Sequence, residues 1–348
     1  MPKCPHCNST IVRLFSRGFD IEEYQCVRCS RMWKIGLAGN DPGDKTYIIA
    51  EHGGKEKAFM DALNLHNYKK VDHVYPSTKF AMADHDIDKK EKWFKQLAER
   101  KITKFFLYPH AGRPNLINDI YPSCDLTTAQ FVASKGHVEI MRRYGYEKPL
   151  EVVGWSFSPI RNFTPTEPRR VLFAPIHPKM SELDKNINKI THAKLVDLHK
   201  HDKIKLTVRY LMDLEDAGID KKEPGIEYIL GKPDLCHADI EKSDLVIAHQ
   251  TYGYIAVAMG KPTLMFGEDV VPHSFNRKTG EPIYVNHYSS YKDLLRYPFD
   301  ISDYDDIYTL MCQVARYEND KVQEWKKRLI GDPFSSEQFM KHLEKHLE

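Results

Sequence analysis

Apolar runs of three to six residues, each closed by a polar or glycine-bearing turn, recur along most of the chain. Those at 45–50, 103–108, 130–132, 151–153, 171–174, 245–248 and 263–266 carry no alternation of polar positions. Such runs predict strands, and those at 245–248 and 263–266 read as buried ones. Between them the spacing changes to that of helices. Residues 89–100 put Trp93, Phe94 and Leu97 on one face, and 56–64, 138–144, 186–199, 304–317 and 320–329 follow the same period. Strands that alternate with helices predict an α/β protein built on parallel sheets. The segment 204–210 differs, because Lys205, Thr207 and Arg209 alternate with apolar residues, which predicts a strand with one face toward solvent. Prolines 159, 165 and 168 break the pattern and predict an extended connection between two domains.

The most informative stretch is 244–268. It reads as a buried strand, the polar turn His249-Gln250-Thr251-Tyr252-Gly253, a helix of small residues stopped at Gly260-Lys261-Pro262, and a second buried strand. Its turn lies at the end of a parallel strand, where open sheets hold ligands, and the following helix offers free backbone N–H groups to an anion. His249, Gln250, Thr251, Gly253 and Lys261 are the candidates there. A second turn, Pro109-His110-Ala111-Gly112-Arg113, ends the strand at 103–108. A histidine titrates near neutral pH, so His110 suits a general base, or else it caps the sheet edge. Arg113 and His52, the latter in Glu51-His52-Gly53-Gly54, are candidates for holding an acceptor. His177 and Lys179, after the strand at 171–174, and Arg209 could offset phosphate charge, and Glu268 could bond sugar hydroxyls.

The sequence of features in 244–268 resembles the nucleotide-binding half of GT-B glycosyltransferases. The relatives closest in style are UDP-N-acetylglucosamine 2-epimerases and CDP-glycerol glycerophosphotransferases. The resemblance covers roughly 45–331 and implies two Rossmann-like domains facing a cleft. It implies a glycosyltransferase that moves a sugar, or a related phosphate-linked group, from a nucleotide-sugar donor to a hydroxyl acceptor, without a bound divalent ion. It also implies that His110 is the base, since a His-Gly turn holds that place in the glycerophosphotransferases; here an alanine is inserted. A further departure is the small helix 255–258, which lacks the glutamate that many members use for the ribose. Two other readings stay open: a UDP-sugar epimerase, and a non-enzymatic nucleic-acid-binding scaffold with a nucleotide-sensing cleft.

Composition adds one module. The formal charge of +2 gives no global pull toward nucleic acid or membrane, and 41% hydrophobic with 29% charged residues is ordinary for a globular protein. No apolar run is long enough for a membrane span, so the expected location is the cytoplasm, that of the host if the protein is viral. Of seven cysteines, Cys4-x-x-Cys7 and Cys26-x-x-Cys29 stand eighteen residues apart, which is the spacing of a structural zinc ribbon. Lys3, Arg13, Arg17, Arg28, Arg31 and Lys34 outnumber Asp20, Glu22 and Glu23 there, with Phe15, Phe19, Tyr24 and Trp33 interleaved. Cations beside stacking faces suit nucleic acid, so an acceptor hydroxyl on a modified base in DNA is one expectation. The expected organisation is a zinc ribbon at 1–40, an acceptor domain at 45–160, a nucleotide-donor domain at 169–330 and a helical tail at 331–348.

Overall fold

The computed structural model describes residues 12–17, 21–26, 32–36, 45–49, 63, 65, 68–71, 74–83, 87–109, 126–143, 146–175, 182–211, 213–231, 236–248, 250–265, 274–275, 282–283, 306–316 and 320–348. Its first element is an antiparallel meander of β1 (Val12–Arg17), β2 (Ile21–Cys26) and β3 (Met32–Gly36), with Val12 opposite Cys26 and Ile21 opposite Gly36. These strands lie between and after the two cysteine pairs of the sequence. Cys4, Cys7, Cys29 and the Cys26 side chain lie outside the described residues. Among the described residues no group of three histidines, cysteines or carboxylates is arranged to hold a metal.

Two parallel sheets follow. The first contains β4 (Thr46–Ile49), β5 (Lys69–Lys70), β6 (Thr78–Ala83), β7 (Phe105–Leu107), β8 (Ala129–Val132) and β9 (Leu150–Val152), in the order β5-β4-β6-β7-β8-β9. Helices α1 (Ile87–Glu99) and α2 (Lys135–Arg143) belong to it. Strand β6 was not expected. Its Phe-Ala-Met-Ala run has weak intrinsic strand preference, yet all four residues have no exposed surface, so packing between β4 and β7 decides its state. The second sheet contains β10 (Arg170–Ala174), β11 (Lys205–Tyr210), β12 (Glu227–Leu230), β13 (Leu245–Ala248) and β14 (Thr263–Met265), in the order β12-β11-β10-β13-β14. Helices α3 (Glu182–Lys200), α4 (His237–Lys242) and α5 (Gln250–Ala258) connect its strands, and α6 (Ile307–Arg316), α7 (Asp320–Leu329) and α8 (Ser336–Leu347) finish the chain. Residues 274–275 and 282–283 pair as a small antiparallel ribbon.

The central strands bury both faces, as their continuous apolar runs require, while β5 and β12 at the edges and part of β11 stay more exposed. In the first, Ile48, Ala81, Phe105 and Leu107 pack on Trp93, Phe94 and Leu97 of α1. The opposite face meets α8, where the rings of Phe131 and Phe339 lie 4.2 Å apart. In the second, Val171, Phe173, Leu206, Val208 and Ile247 pack beneath α3 and α6. A fourth cluster joins the two sheets. It runs from Val132 and Ala133 at the tip of β8, through Trp155 and Phe157 of the connecting segment, to Ala174 and Ala248 at the tips of β10 and β13.

The connecting segment is pinned rather than loose. Arg161 N donates to the Ala258 carbonyl at 2.8 Å, and the buried Lys326 amine donates to the Arg161 carbonyl. Gly260, at φ +74°, ends α5, with Gly260 N bonded to the Val257 carbonyl and Lys261 N to the Ala256 carbonyl, the paired bonds of a Schellman stop. A Cβ on Gly260 would lie 2.1 Å from the Asn162 carbonyl oxygen, so only glycine admits the crossing chain. Trp155 N donates to the Asp332 carbonyl and Phe334 N to the Trp155 carbonyl, which returns the tail to the first sheet. There Glu151, 8% exposed, lies 2.8 Å from His342 Nδ1, 2.7 Å from His346 Nε2 and 3.1 Å from Lys345 Nζ. Burial pushes the Glu151 carboxyl up, but hydrogen bonds from His346 and Lys345 outweigh it and hold the group below its ordinary value. The charged C-terminal run, which reads from sequence as a plain helix end, is thus a clasp.

Candidate functional site

The feature that positions a site is where the parallel strands end. In an open α/β sheet, ligands bind outside the carboxyl ends of the strands. Two helices start directly at such ends and both lack an acidic residue in their first turn: α2, from β8, and α5, from β13. Each would offer free N–H groups and the positive end of its dipole to an anion.

The first of these is already filled. A Cβ on Gly136 would stand 2.5 Å from the Arg328 carbonyl oxygen, so the end of α7 sits on the start of α2. His137, 2% exposed, bonds the Leu329 backbone, and its own N–H lies 3.4 Å from Ser134 Oγ. Burial pushes the His137 imidazole down to about 3 despite that bond, so it is neutral at ordinary pH. The carboxyl-end dipole of α7 therefore meets the amino-end dipole of α2.

Helix α5 has no such plug among the described residues. It begins four residues earlier than its sequence suggests: Gln250, Thr251, Tyr252 and Gly253, expected in a turn, form its first helical residues. Gly253 is buried, and a Cβ there would meet the Met265 side chain at 3.1–3.2 Å. Its missing side chain lets α5 lie close on β14.

Two expected donor residues are engaged elsewhere. Lys261 stands beyond the far end of α5, at the amino ends of the strands, and its amine donates to the carbonyls of Glu241 at 2.9 Å and Ser243 at 2.7 Å. It caps the carboxyl end of α4 and takes no part in the strand-tip site. Arg209 is 6% exposed and forms an ion pair with Asp239 of α4. The sequence places it on a solvent-facing side of its strand, but in the structure it is buried and its charge is taken by a carboxylate thirty positions away.

The remaining sequence-predicted residues, His52, His110, Arg113, His177, Lys179, His249 and Glu268, lie outside the described residues, as do the side chains of Gln250 and Thr251. Two of the chain segments leading to them are described. Tyr108 and Pro109, both buried, carry the chain past β7 toward His110, and Pro175 carries it past β10 toward His177. Sequence reasoning missed His237, whose Nε2 lies 2.7 Å from the Phe157 carbonyl and ties α4 to the connecting segment, a contact that no local pattern announces. Cys236, which starts α4 with left-handed backbone at φ 43°, is a buried thiol of the core.

No protein-family model matches this chain, and no curated protein matches it. Solved structures do. MnaA from S. aureus, in a co-structure with UDP, matches with a TM-score of 0.53 at 13% identity, over 87% of this chain and 97% of that one. The likeness is one of fold. A trehalose-6-phosphate synthase matches at 0.48 and 8% identity, over 87% of this chain and 98% of that one. The wall teichoic acid polymerase TagF, with CDPG, matches at 0.48 and 13% identity, over 87% of this chain and 88% of that one. The architecture shared with MnaA is the two-sheet, parallel α/β arrangement of the GT-B type. Among the described residues no helix is long and apolar enough to cross a membrane.

Proposed function

We propose that the protein is a glycosyltransferase that moves a sugar, or a related phosphate-linked group, from a nucleotide diphosphate donor to a hydroxyl acceptor. The observation that carries this reading is the start of α5. It is a nine-residue helix that leaves a buried strand tip, with no acid in its first turn and a glycine that seats it close to β14. A diphosphate there accepts hydrogen bonds from the first backbone N–H groups and meets the positive helix end, which also stabilises the diphosphate as it leaves.

In this reading His249, Gln250 and Thr251 frame the diphosphate, His177 and Lys179 add positive charge from the tip of β10, and Glu268 bonds donor hydroxyls. His110, beyond β7, takes the proton from the acceptor hydroxyl as the new bond forms, with Arg113 and His52 holding the acceptor. Lys261 and Arg209 have no part in it. The four cysteines Cys4, Cys7, Cys26 and Cys29 would hold a structural zinc ion beside the β1–β3 meander, where β2 ends on Cys26. The cations and aromatics of that module favour an acceptor in DNA.

A panel of nucleoside diphosphates and nucleotide sugars tests the reading by thermal stabilisation. A donor at about one hundred times its Kd adds about 2.7 kcal/mol of stability. His110→Ala then abolishes turnover and leaves that stabilisation in place. No stabilisation by any nucleotide removes the donor site, and unchanged turnover removes His110 as the base.

A further inference from the structure

The second sheet carries another cavity, on the side away from the strand tips, and it follows from topology. The chain steps from β10 to β11 to β12 with its connections on one face, where α3, Leu214, Ile219 and Ile226 pack. It then returns from β12 to β13 on the opposite face, where among the described residues the return contains only α4, six residues long. Six residues make a helix about 9 Å long, and a helix about 10 Å across covers two strands spaced about 4.8 Å apart, not three. The face of β11 and β12 beside α4 is left open as a cavity of about 270 Å³.

Parallel register fixes what this face presents. Arg170 pairs with Lys205, Leu172 with Thr207, Thr207 with Glu227, and Arg209 with Ile229. Residues paired in one row point the same way, so the floor runs from cations at the strand starts to hydroxyl and carboxylate groups further in. Helix α4 adds Lys242 and Asp239 as the side wall. Arg170 is held by Asp244 through its backbone N at 2.8 Å and its Nε at 3.1 Å, and Asp239 is paired with Arg209. Thr207 Oγ1 donates to Glu227 at 3.2 Å. Among the described residues nothing engages the amines of Lys205 and Lys242, both exposed at the mouth.

We propose that this cavity binds a small phosphorylated polyol or sugar, with its phosphate between Lys205 and Lys242 and its hydroxyls donating to Glu227 and Asp239. Two unpaired amines match a phosphate dianion, and carboxylates that accept only are satisfied by hydroxyl donors. The site is separate from the α5 helix start, because Lys205 begins β11 whereas α5 follows the end of β13. It therefore stands or falls independently of the transferase reading.

Lysine acetylation of the 348-residue chain, read residue by residue by mass spectrometry, tests it with glycerol 3-phosphate as the probe. At about ten times the Kd, acetylation of Lys205 and Lys242 slows about tenfold, while exposed Lys203 on the neighbouring turn reacts at its original rate. Glu227→Gln, an exposed change that spares the fold, restores acetylation at both lysines toward the ligand-free rate. Equal rates with and without the probe overturn the proposal. Protection by inorganic phosphate as strong as that by glycerol 3-phosphate overturns the assigned ligand class.

Discussion

Helices α2 and α5 begin alike, each at the carboxyl end of a buried parallel strand and each without an acid in its first turn. Their surroundings differ. The start of α2 is covered by the end of α7, with Gly136 against the Arg328 carbonyl and a buried, neutral His137 bonded at Leu329. The start of α5 follows β13 directly, and its glycine faces a flexible methionine instead of backbone. One helix dipole is used to fasten α7 to the first sheet; among the described residues nothing covers the other, where the proposed donor would sit. A strand-tip helix is therefore a site only when no other element of the chain has reached it first.

The sharpest way to break the comparison is at the two glycines. Gly136→Ala places a methyl against rigid backbone and costs about 3 kcal/mol, read by denaturant unfolding. Gly253→Ala meets a side chain that can move, and the gain in helix propensity offsets the crowding, so stability stays within about 1 kcal/mol of the parent chain. Equal costs at both sites would mean that α7 does not seat on α2 as tightly as its position requires.

Acid sharpens it further. His137 is pushed down from an ordinary value of about 6.5 to about 3 in the folded chain. Its folded pKa is depressed, so its contribution is complete above pH 6.5 and is lost as pH falls from 6.5 toward 3. The slope approaches about 1.4 kcal/mol per pH unit. His137→Leu flattens that part of the stability profile, whatever it does to stability at neutral pH. Glu151, also held low by its partners, supplies stability that is present above its unfolded value and is lost as pH falls through the folded one. Glu151→Gln removes this acid-side loss, which begins at lower pH than that of His137, and destabilises the chain by about 2 kcal/mol at neutral pH. The smallest effect is expected at Lys261→Met, which forfeits bonds to two carbonyls for about 1 kcal/mol and leaves nucleotide stabilisation unchanged.

What the sequence shows of this arrangement follows from how local each signal is. The β13–α5–β14 unit is legible because an unbroken apolar run, a small-residue helix and Gly260-Lys261-Pro262 are all contiguous. Strand β6 is not, since alanine and methionine become a strand only between two neighbours. Arg209 alternates as an outward residue should, yet Asp239, which neutralises it, comes from a different helix. The α7 plug on α2 depends on Gly136 and Arg328, nearly two hundred positions apart, and no periodicity links them.

The decisive measurement is a pair of charge substitutions at the two helix starts, Lys135→Glu on α2 and Gln250→Glu on α5, each followed by thermal unfolding with and without a saturating nucleoside diphosphate. A carboxylate in the first turn of α5 leaves the free protein as stable as before or slightly more so, through the helix dipole, and removes the nucleotide-dependent rise. The same change on α2 leaves that rise intact. A full rise in Gln250→Glu, or a rise lost in Lys135→Glu alone, would contradict the assignment of the ligand to α5.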